Sequence, residues 1–530
     1  MSFRRKFPKM IFTDDAWLLS ERNKITYGDI ENYLVDSFSG LDGAYWWSIG
    51  DHEVYHYETR IGERFGSGYE QFNENLESFV HKQTPGVVQN ITNNLNSLID
   101  EYGGPLNAIS EICRNNQIPF YPRIRMNSHY PIDFDHVGHG DFRRQHPEWL
   151  IGKPGEEIPK DTLEYGIRTG KDYAVPEVRS YMLDIICETF EQFEVDGVEL
   201  DFCRHPAFFR LGAEKANSKL ITDLVHQVKT RLNKREKELG RSLNLAVRVP
   251  PTVKDSVRIG LDIDDWIRSD LVNIVSAGIG FIPFDTPVRD FVDQAKNREC
   301  AIYGCLEGSA YADPLVLRGA ANWWLNNGAT GIYLYNFFTM SAQWHHQTYS
   351  ELTADIGLPI SDKKYVLGKS SQPGPGSTIG WAFYHASPMT QLPMNISHET
   401  ADLMIEIADD LDDPEVKKQV DSAALGIWFE NLETDTEVKL EINGVSTGEM
   451  YYKNSQNGWE NITVESLWWI KYPANLNTNI QQGYLFLSGE IKHFLSNGVN
   501  RISLTLDKVG NHLTMASIVG VELKILYNKK

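Results

Sequence analysis

Before residue 340 the chain carries eight short apolar runs, most of them separated by stretches of helical periodicity, and few folds accommodate that order. The runs are Lys9–Thr13, Gly43–Ile49, Pro119–Met126, Gly197–Cys203, Asn244–Val249, Asn273–Ala277, Ala301–Leu306 and Gly331–Asn336. Between them, Val178–Phe193 places Met182, Ile185, Ile186, Thr189 and Phe190 on one stripe. Asn217–Leu239 repeats Leu220, Leu224, Val228 and Leu232 at helical spacing before Gly240 stops the run. Asp313-Pro314 opens a third helical pattern to Asn327. Strand and helix alternating eight times predict an α/β fold, the (β/α)8 or TIM barrel. An open doubly wound sheet is the rival, and it would want a glycine-rich turn after Phe12 that is not there.

Two long excursions interrupt the alternation, Asp51 to about Gln117 and Asn127 to about Val175. The first contains helical patterns over Tyr69–His81 and Val87–Tyr102; the second holds His129, His136, His139 and His146. Both follow strand C-terminal ends and should rise over the active face of a barrel. Past Leu367 the pattern changes. Lys369–Ser377 reads KSSQPGPGS, a linker by composition. From 378 to 530 short alternating strands with turn signals at Asn443-Gly444 and Asn497-Gly498 predict a β-sandwich. The expected organisation is therefore a barrel over 1–368, a linker over 369–377 and an all-β sandwich over 378–530.

A formal charge of −21 disfavours nucleic acid and anionic membrane surfaces as partners. No stretch approaches the roughly 20 apolar residues of a membrane span. The N-terminal MSFRRKFPKMIFTDD is not a signal peptide as it stands, and the five cysteines show no framework spacing. Buried free thiols and a cytoplasmic setting are expected, with a trimmed exported protein as the alternative.

Residues 196–204 carry the chemistry. They read Asp-Gly-Val-Glu-Leu-Asp-Phe-Cys-Arg. The two-residue period of a strand puts Glu199, Asp201 and Cys203 on one face. Inside a barrel that face meets the axis, where two carboxylates are costly unless they bind or catalyse. The competing explanation is a buried pair held by nearby arginines such as Arg204. The seventh run ends at Glu307, so strands four and seven would each offer a carboxylate at the mouth, the pair that glycoside hydrolysis needs. Asp201 and Glu307 form the expected principal pair, with Glu199 tuning Asp201. Other polar strand ends converge as expected substrate contacts: Asp14, Trp47, Arg125, Asn127, His129, Arg204, Arg248, Tyr335 and Asn336.

No metal and no cofactor are expected. The first strand ends Thr-Asp-Asp where amidohydrolase barrels want His-x-His, and there is no P-loop, dinucleotide fingerprint or G-x-S-x-G elbow. Alternatives are a glycosidase with Asp201 as nucleophile and its acid on strand six, for instance Asp285, and a non-catalytic glycan-binding or scaffold protein. In the tail, Trp459, Trp468 and Trp469 are the candidates for an aromatic platform.

Residues 119–150 and 173–205 resemble the bacterial glycosyl-hydrolase-like barrels described as family-10-like. The shared marks are an Arg-x-Asn-x-His-type third strand, the His-Pro-Glu-Trp loop from His146 to Trp149, and a helix running into Asp-Gly-Val-x-Leu-Asp. The resemblance spans roughly 8–345 and implies a TIM barrel acting on carbohydrate. The fourth strand departs from the Asn-Glu ending of the large retaining clan and offers Glu-Leu-Asp instead. On β pattern only, the tail resembles the galactose-binding-like sandwiches appended to such enzymes.

Overall fold

In the computed structural model the apolar runs become eight parallel strands that close on themselves in chain order. They are β1 (Met10–Asp14), β2 (Gly43–Ser48), β3 (Phe120–Arg125), β4 (Gly197–Asp201), β5 (Asn244–Val249), β6 (Ile274–Ala277), β7 (Ala301–Glu307) and β8 (Gly331–Tyr335). Closure is made at β1, where Met10 is paired with Gly43 of β2 and with Ile332 of β8. The structure describes residues 7–21, 23–51, 53–67, 87–129, 141–160, 162–278, 286–307, 313–353, 358–368, 391–396, 399–430, 437–449, 451–453, 484–487, 490–508 and 516–528. The expected helix over 69–81, the linker 369–377, His136, His139, Asp285 and the three tail tryptophans lie outside them.

Alternation along the strands builds two cores. Inward residues, among them Ile11, Trp46, Tyr121, Ala246, Ile274, Tyr303, Cys305, Tyr333 and Tyr335, form one buried cluster. Outward residues such as Phe12, Trp47, Val198, Leu200, Val247 and Leu334 join the larger core under the helices. Because both faces are covered, the strands are apolar almost throughout, as parallel sheets are. The predicted helices form over Val87–Tyr102, Pro176–Gln192, Glu214–Leu239 and Pro314–Asn326. Gly240 ends the third at φ 69°, and the Asp313 side chain caps the fourth by accepting from Leu315 N. On β7, Gly304 is required by packing, since a Cβ there would sit 2.2 Å from the Trp324 ring. No described helix is long and apolar enough to cross a membrane.

Among the described residues, the strands of the C-terminal region all pair antiparallel. One sheet is built on Ala516–Tyr527 and Val420–Glu430, the other on Gly498–Lys508, Ala401–Ile407 and Glu437–Ile442. Leu403, Leu440 and Leu504 of one and Leu425, Ile427 and Leu523 of the other share a buried core, which makes a sandwich. Asn443 and Gly444 both have positive φ, 53° and 79°, as a two-residue hairpin turn demands. The expected boundary needs one correction. Lys363–Gly368, assigned to the barrel from composition, is a strand of the C-terminal sheet, paired antiparallel with Gly520–Ile525. Its pairing partner lies some 150 residues downstream, beyond the reach of local composition.

Candidate active site

The strand that carries the carboxylates is held at its base by Asp196, which accepts from Phe120 N at 2.9 Å and from Arg241 at 3.1 Å. Val198 and Leu200 then face the helices, and Glu199 and Asp201 face the axis, each fully buried. Strand register supplies their neighbours. Arg123 of β3 pairs with Glu199, and Asp201 pairs with Arg125 of β3 and Arg248 of β5. Directly paired residues of a parallel sheet share a face, so the guanidinium groups of Arg123 and Arg248 enter the same interior.

Asp201 Oδ1 accepts from Arg248 Nε at 2.9 Å, Cys203 N at 3.0 Å and Arg204 N at 3.2 Å. Its Oδ2 lies 3.7 Å from Arg123 Nε and has no hydrogen-bond partner among the described residues. Glu199 Oε2 accepts from the Tyr333 hydroxyl at 2.9 Å and lies 4.0 Å from Arg123 Nε, while Oε1 has no such partner. These surroundings push the two carboxyls apart. Burial, and then the charge of Asp201, raises Glu199 to about 8. Burial works against Asp201 ionising, yet Arg248 and Arg123 together hold it below the usual carboxylate value. Near neutrality one carboxyl is an acid and its neighbour an anion.

Aromatic faces complete the interior. The Tyr335 ring lies 4.1 Å from the Arg248 guanidinium and 5.1 Å from that of Arg123. Trp46 stacks on Tyr121 at 4.7 Å and meets Tyr333 edge-on at 5.7 Å. At the rim, Asp15 accepts from Arg123 Nη2 at 2.5 Å and from Arg125 Nη2. Ala16, His205 and Asn336, following β1, β4 and β8, all have φ near +60°. Non-glycine residues rarely hold that conformation, and it gathers where a site fixes its backbone.

The expected residues do not all arrive here. Glu199, Asp201, Arg125, Arg248 and Tyr335 come together, Arg204 joins through its backbone N–H, and Asn336 stands at the rim. Glu307 ends β7, in register with Tyr335. Asp14 and Trp47 are corrections, because both lie on the outer face of the barrel. Asp14 accepts from Trp17 N and the Tyr45 hydroxyl, and Trp47 packs in the helix-facing core. Asn127 and His129 serve the loops. The Asn127 amide is used up by Lys171 N and O, Ala207 O and Ser128 N, and His129 Nε2 faces Ala207 O at 3.1 Å.

Asp15, Arg123, Tyr333 and Trp46 are site residues that the sequence reading did not select. Arg123 and Tyr333 share the parity of Arg125 on β3 and Tyr335 on β8, so strand phase is the signal for those two, whereas Asp15 and Trp46 have the opposite parity to Asp14 and Trp47 and no such signal marks them. Arginines do hold the carboxylates, but they are Arg123 and Arg248, with Arg204 contributing no side-chain bond to Asp201.

Around the mouth, buried Glu53 accepts from Arg143 Nε at 2.6 Å and from Lys171 Nζ at 2.5 Å, tying the excursion after β2 to the one after β3. A separate cavity of about 390 Å³, lined by Ile151, Glu156, Thr162, Glu164, Arg210 and Leu211 among others, shares no residue with the carboxylate site. Among the described residues no group of three or more His, Cys, Asp or Glu is arranged to hold a metal ion.

No protein-family model matches the chain, and no curated protein matches it. Solved structures give distant matches. A chitinase from Chromobacterium violaceum is 11% identical, with 65% of this chain and 99% of that one covered and a TM-score of 0.34. The glycoside hydrolase domain of PgaB from Bordetella bronchiseptica is 10% identical, covering 66% and 99%, with a TM-score of 0.38. An α-amylase from Geobacillus thermoleovorans is 9% identical, covering 94% and 99%, with a TM-score of 0.34. At such scores these matches carry no weight, and the barrel rests on the strand pairing of the chain itself.

Proposed function

We propose that the chain is a glycoside hydrolase acting on an oligo- or polysaccharide, with its chemistry at the C-terminal ends of β4 and β7. One observation carries the reading: two fully buried carboxylates stand two residues apart on the axis-facing side of β4, Asp201 held by Arg248 with an Oδ2 that has no hydrogen-bond partner among the described residues, and Glu199, which burial raises to about 8. Asp201 attacks the anomeric carbon or activates water, and Glu307 protonates the leaving oxygen. Glu199 stays neutral, so that Asp201 has no second negative charge beside it. Arg248 and the backbone N–H groups of Cys203 and Arg204 fix the other oxygen of Asp201. Tyr335, at the C-terminal end of β8 and packed on Arg248 and Arg123, offers the aromatic face beside these groups.

Replacing Asp201 by Asn, or Glu307 by Gln, should lower turnover about 100-fold or more, the usual loss when a positioned proton-transfer group is removed. Circular dichroism should show the fold retained. A variant with near-normal turnover removes that residue from the mechanism.

The full burial of both β4 carboxylates favours a second reading, in which the arginine-held pair is structural and the barrel binds glycan without cleaving it. Glycan binding without turnover on any glycoside would select it.

A further inference from the structure

A large aromatic side chain stands uncovered at the mouth of this barrel. Trp17 follows the last residue of β1 by three positions and is 38% exposed. Its ring centroid lies 5.7 Å from that of half-buried Phe338, which follows the last residue of β8 by three positions. β1 and β8 are neighbours in the closed barrel, with Phe12 paired with Leu334. The two rings therefore meet beyond the C-terminal ends of adjacent strands, on the face where barrel enzymes hold their substrates.

The backbone under Trp17 is fixed. Its N–H donates to Asp14 Oδ1 at 2.7 Å, and its carbonyl accepts from Ser20 N at 2.9 Å, Ser20 Oγ at 2.7 Å and Glu21 N at 3.1 Å. Ala16, just before it, holds φ 62°, a conformation that alanine seldom adopts and that gathers at functional sites. Asn336 holds φ 61° two residues before Phe338. The uncovered part of the Trp17 ring gains nothing from hydrophobic burial, so this rigid turn presents an apolar face to water at no benefit to the fold.

The ring pair is continuous with the carboxylate site. Asp15, two residues before Trp17 and hence within about 7 Å of it along Cα, accepts from Arg123 Nη2 at 2.5 Å and from Arg125 Nη2. Tyr335, three residues before Phe338, packs on the Arg248 guanidinium that donates to Asp201. An indole face is electron-rich and attracts weakly positive hydrogens. A pyranose ring gathers its C–H bonds on its faces and points its hydroxyls from its edge, so it can stack on such a ring while the edge stays in water.

We propose that Trp17, flanked by Phe338, is the stacking platform for a second sugar unit of the substrate, the neighbour of the unit that meets Asp201. The inference rests on the glycosidase reading for its ligand class, a glycan of at least two pyranose units. Its position rests on the exposed ring pair.

Calorimetric titration of the full chain tests it with cellotetraose, xylotetraose, mannotetraose and chitotetraose, each beside the methyl glycoside of its own monosaccharide. Initial rates are measured on the same tetrasaccharides. The wild type should bind at least one tetrasaccharide more tightly than the matching methyl glycoside. Trp17→Ala should weaken that binding about threefold to tenfold, the scale of one aromatic contact, and should weaken the methyl glycoside less. Trp17→Phe, which keeps a π-face, should recover part of the loss. Trp17→Leu, which keeps apolar bulk without a π-face, should not, and it replaces Trp17→Ala if circular dichroism shows that variant unfolded.

Unchanged tetrasaccharide affinity in a folded Trp17→Ala or Trp17→Leu, equal losses for tetrasaccharide and methyl glycoside, or no tetrasaccharide bound by the wild type overturns the inference. Tetrasaccharide cleavage with the same KM in wild type and Trp17→Ala overturns it and leaves the glycosidase reading standing. Tetrasaccharide binding that depends on Trp17, with no glycoside cleaved, supports the inference and defeats the glycosidase reading.

Discussion

Glu199 and Asp201 sit two residues apart, yet they bind protons in opposite senses, and that difference is measurable. Glu199 is raised from 4.5 to about 8 by burial and by Asp201. Between those values the folded protein keeps a proton that the unfolded chain releases. The stability this group contributes is complete below about 4.5 and is lost as pH rises through about 8. Asp201, lowered in the fold, acts the other way: its contribution is present above its ordinary 3.8 and disappears as pH falls through its folded value. Thermal midpoints should therefore decline from about pH 5 to about pH 8.5, and Glu199→Gln should flatten part of that decline. A wild-type slope that the variant leaves unchanged would remove Glu199 as its source. Turnover has a matching signature. Once Glu199 ionises, a second negative charge stands beside Asp201, so kcat should fall above about 8 in the wild type. That alkaline limb should vanish in Glu199→Gln. It should persist in Asp14→Asn, although burial raises Asp14 to about 7, because Asp14 faces away from the axis.

At the scale of elements, β7 shows how closely sheet and helix approach. A methyl group on Gly304 would meet the Trp324 ring, whose indole N–H is already committed to Thr286 O at 3.1 Å. Gly304→Ala should cost about 1–3 kcal/mol, the usual range for overpacking; denaturant titration reads it, and an unchanged midpoint would refute the account of this contact. Strands also explain what could be read from the sequence. The eight runs and their order are visible in apolar patterning, and β4 could be phased because its polar residues all fall on one side. On β1 and β2 phase is hidden. Met10, Ile11 and Phe12 are apolar on both faces, as are Tyr45, Trp46 and Trp47, so hydrophobicity does not say which side meets the axis. Hydrophobicity therefore does not tell Asp14 from Asp15, or Trp47 from Trp46, as the inward residue. Arg123 is one layer deeper than Arg125, and its link to Glu199 follows from register between strands that lie more than 70 residues apart.

At the scale of the whole molecule the barrel and the sandwich are joined through the helix Pro314–Asn326. A Cβ on Gly319 would lie 2.0 Å from Lys364 O, and Asn322 donates to the Tyr365 hydroxyl at 3.2 Å. Trp323 packs against both cores. On the sandwich side, buried Lys363 and Tyr365 bond to Asp409 at 2.9 and 2.5 Å, and the Tyr527 hydroxyl donates to the same carboxylate. Residues 1–362 expressed alone should be less soluble and melt lower than the full chain, because the helix face that carries Trp323 loses its cover. A truncated barrel that is equally stable but poorer on polymer than on small substrates would instead assign the sandwich to glycan binding.

The most direct test of the central claim compares initial rates of the wild type and Asp201→Asn on a panel of acidic and neutral aryl glycosides. The account predicts turnover by the wild type on at least one member and a loss of about 100-fold or more in the variant, with the fold retained. Undiminished turnover by Asp201→Asn, or no turnover by the wild type anywhere on the panel, would contradict it.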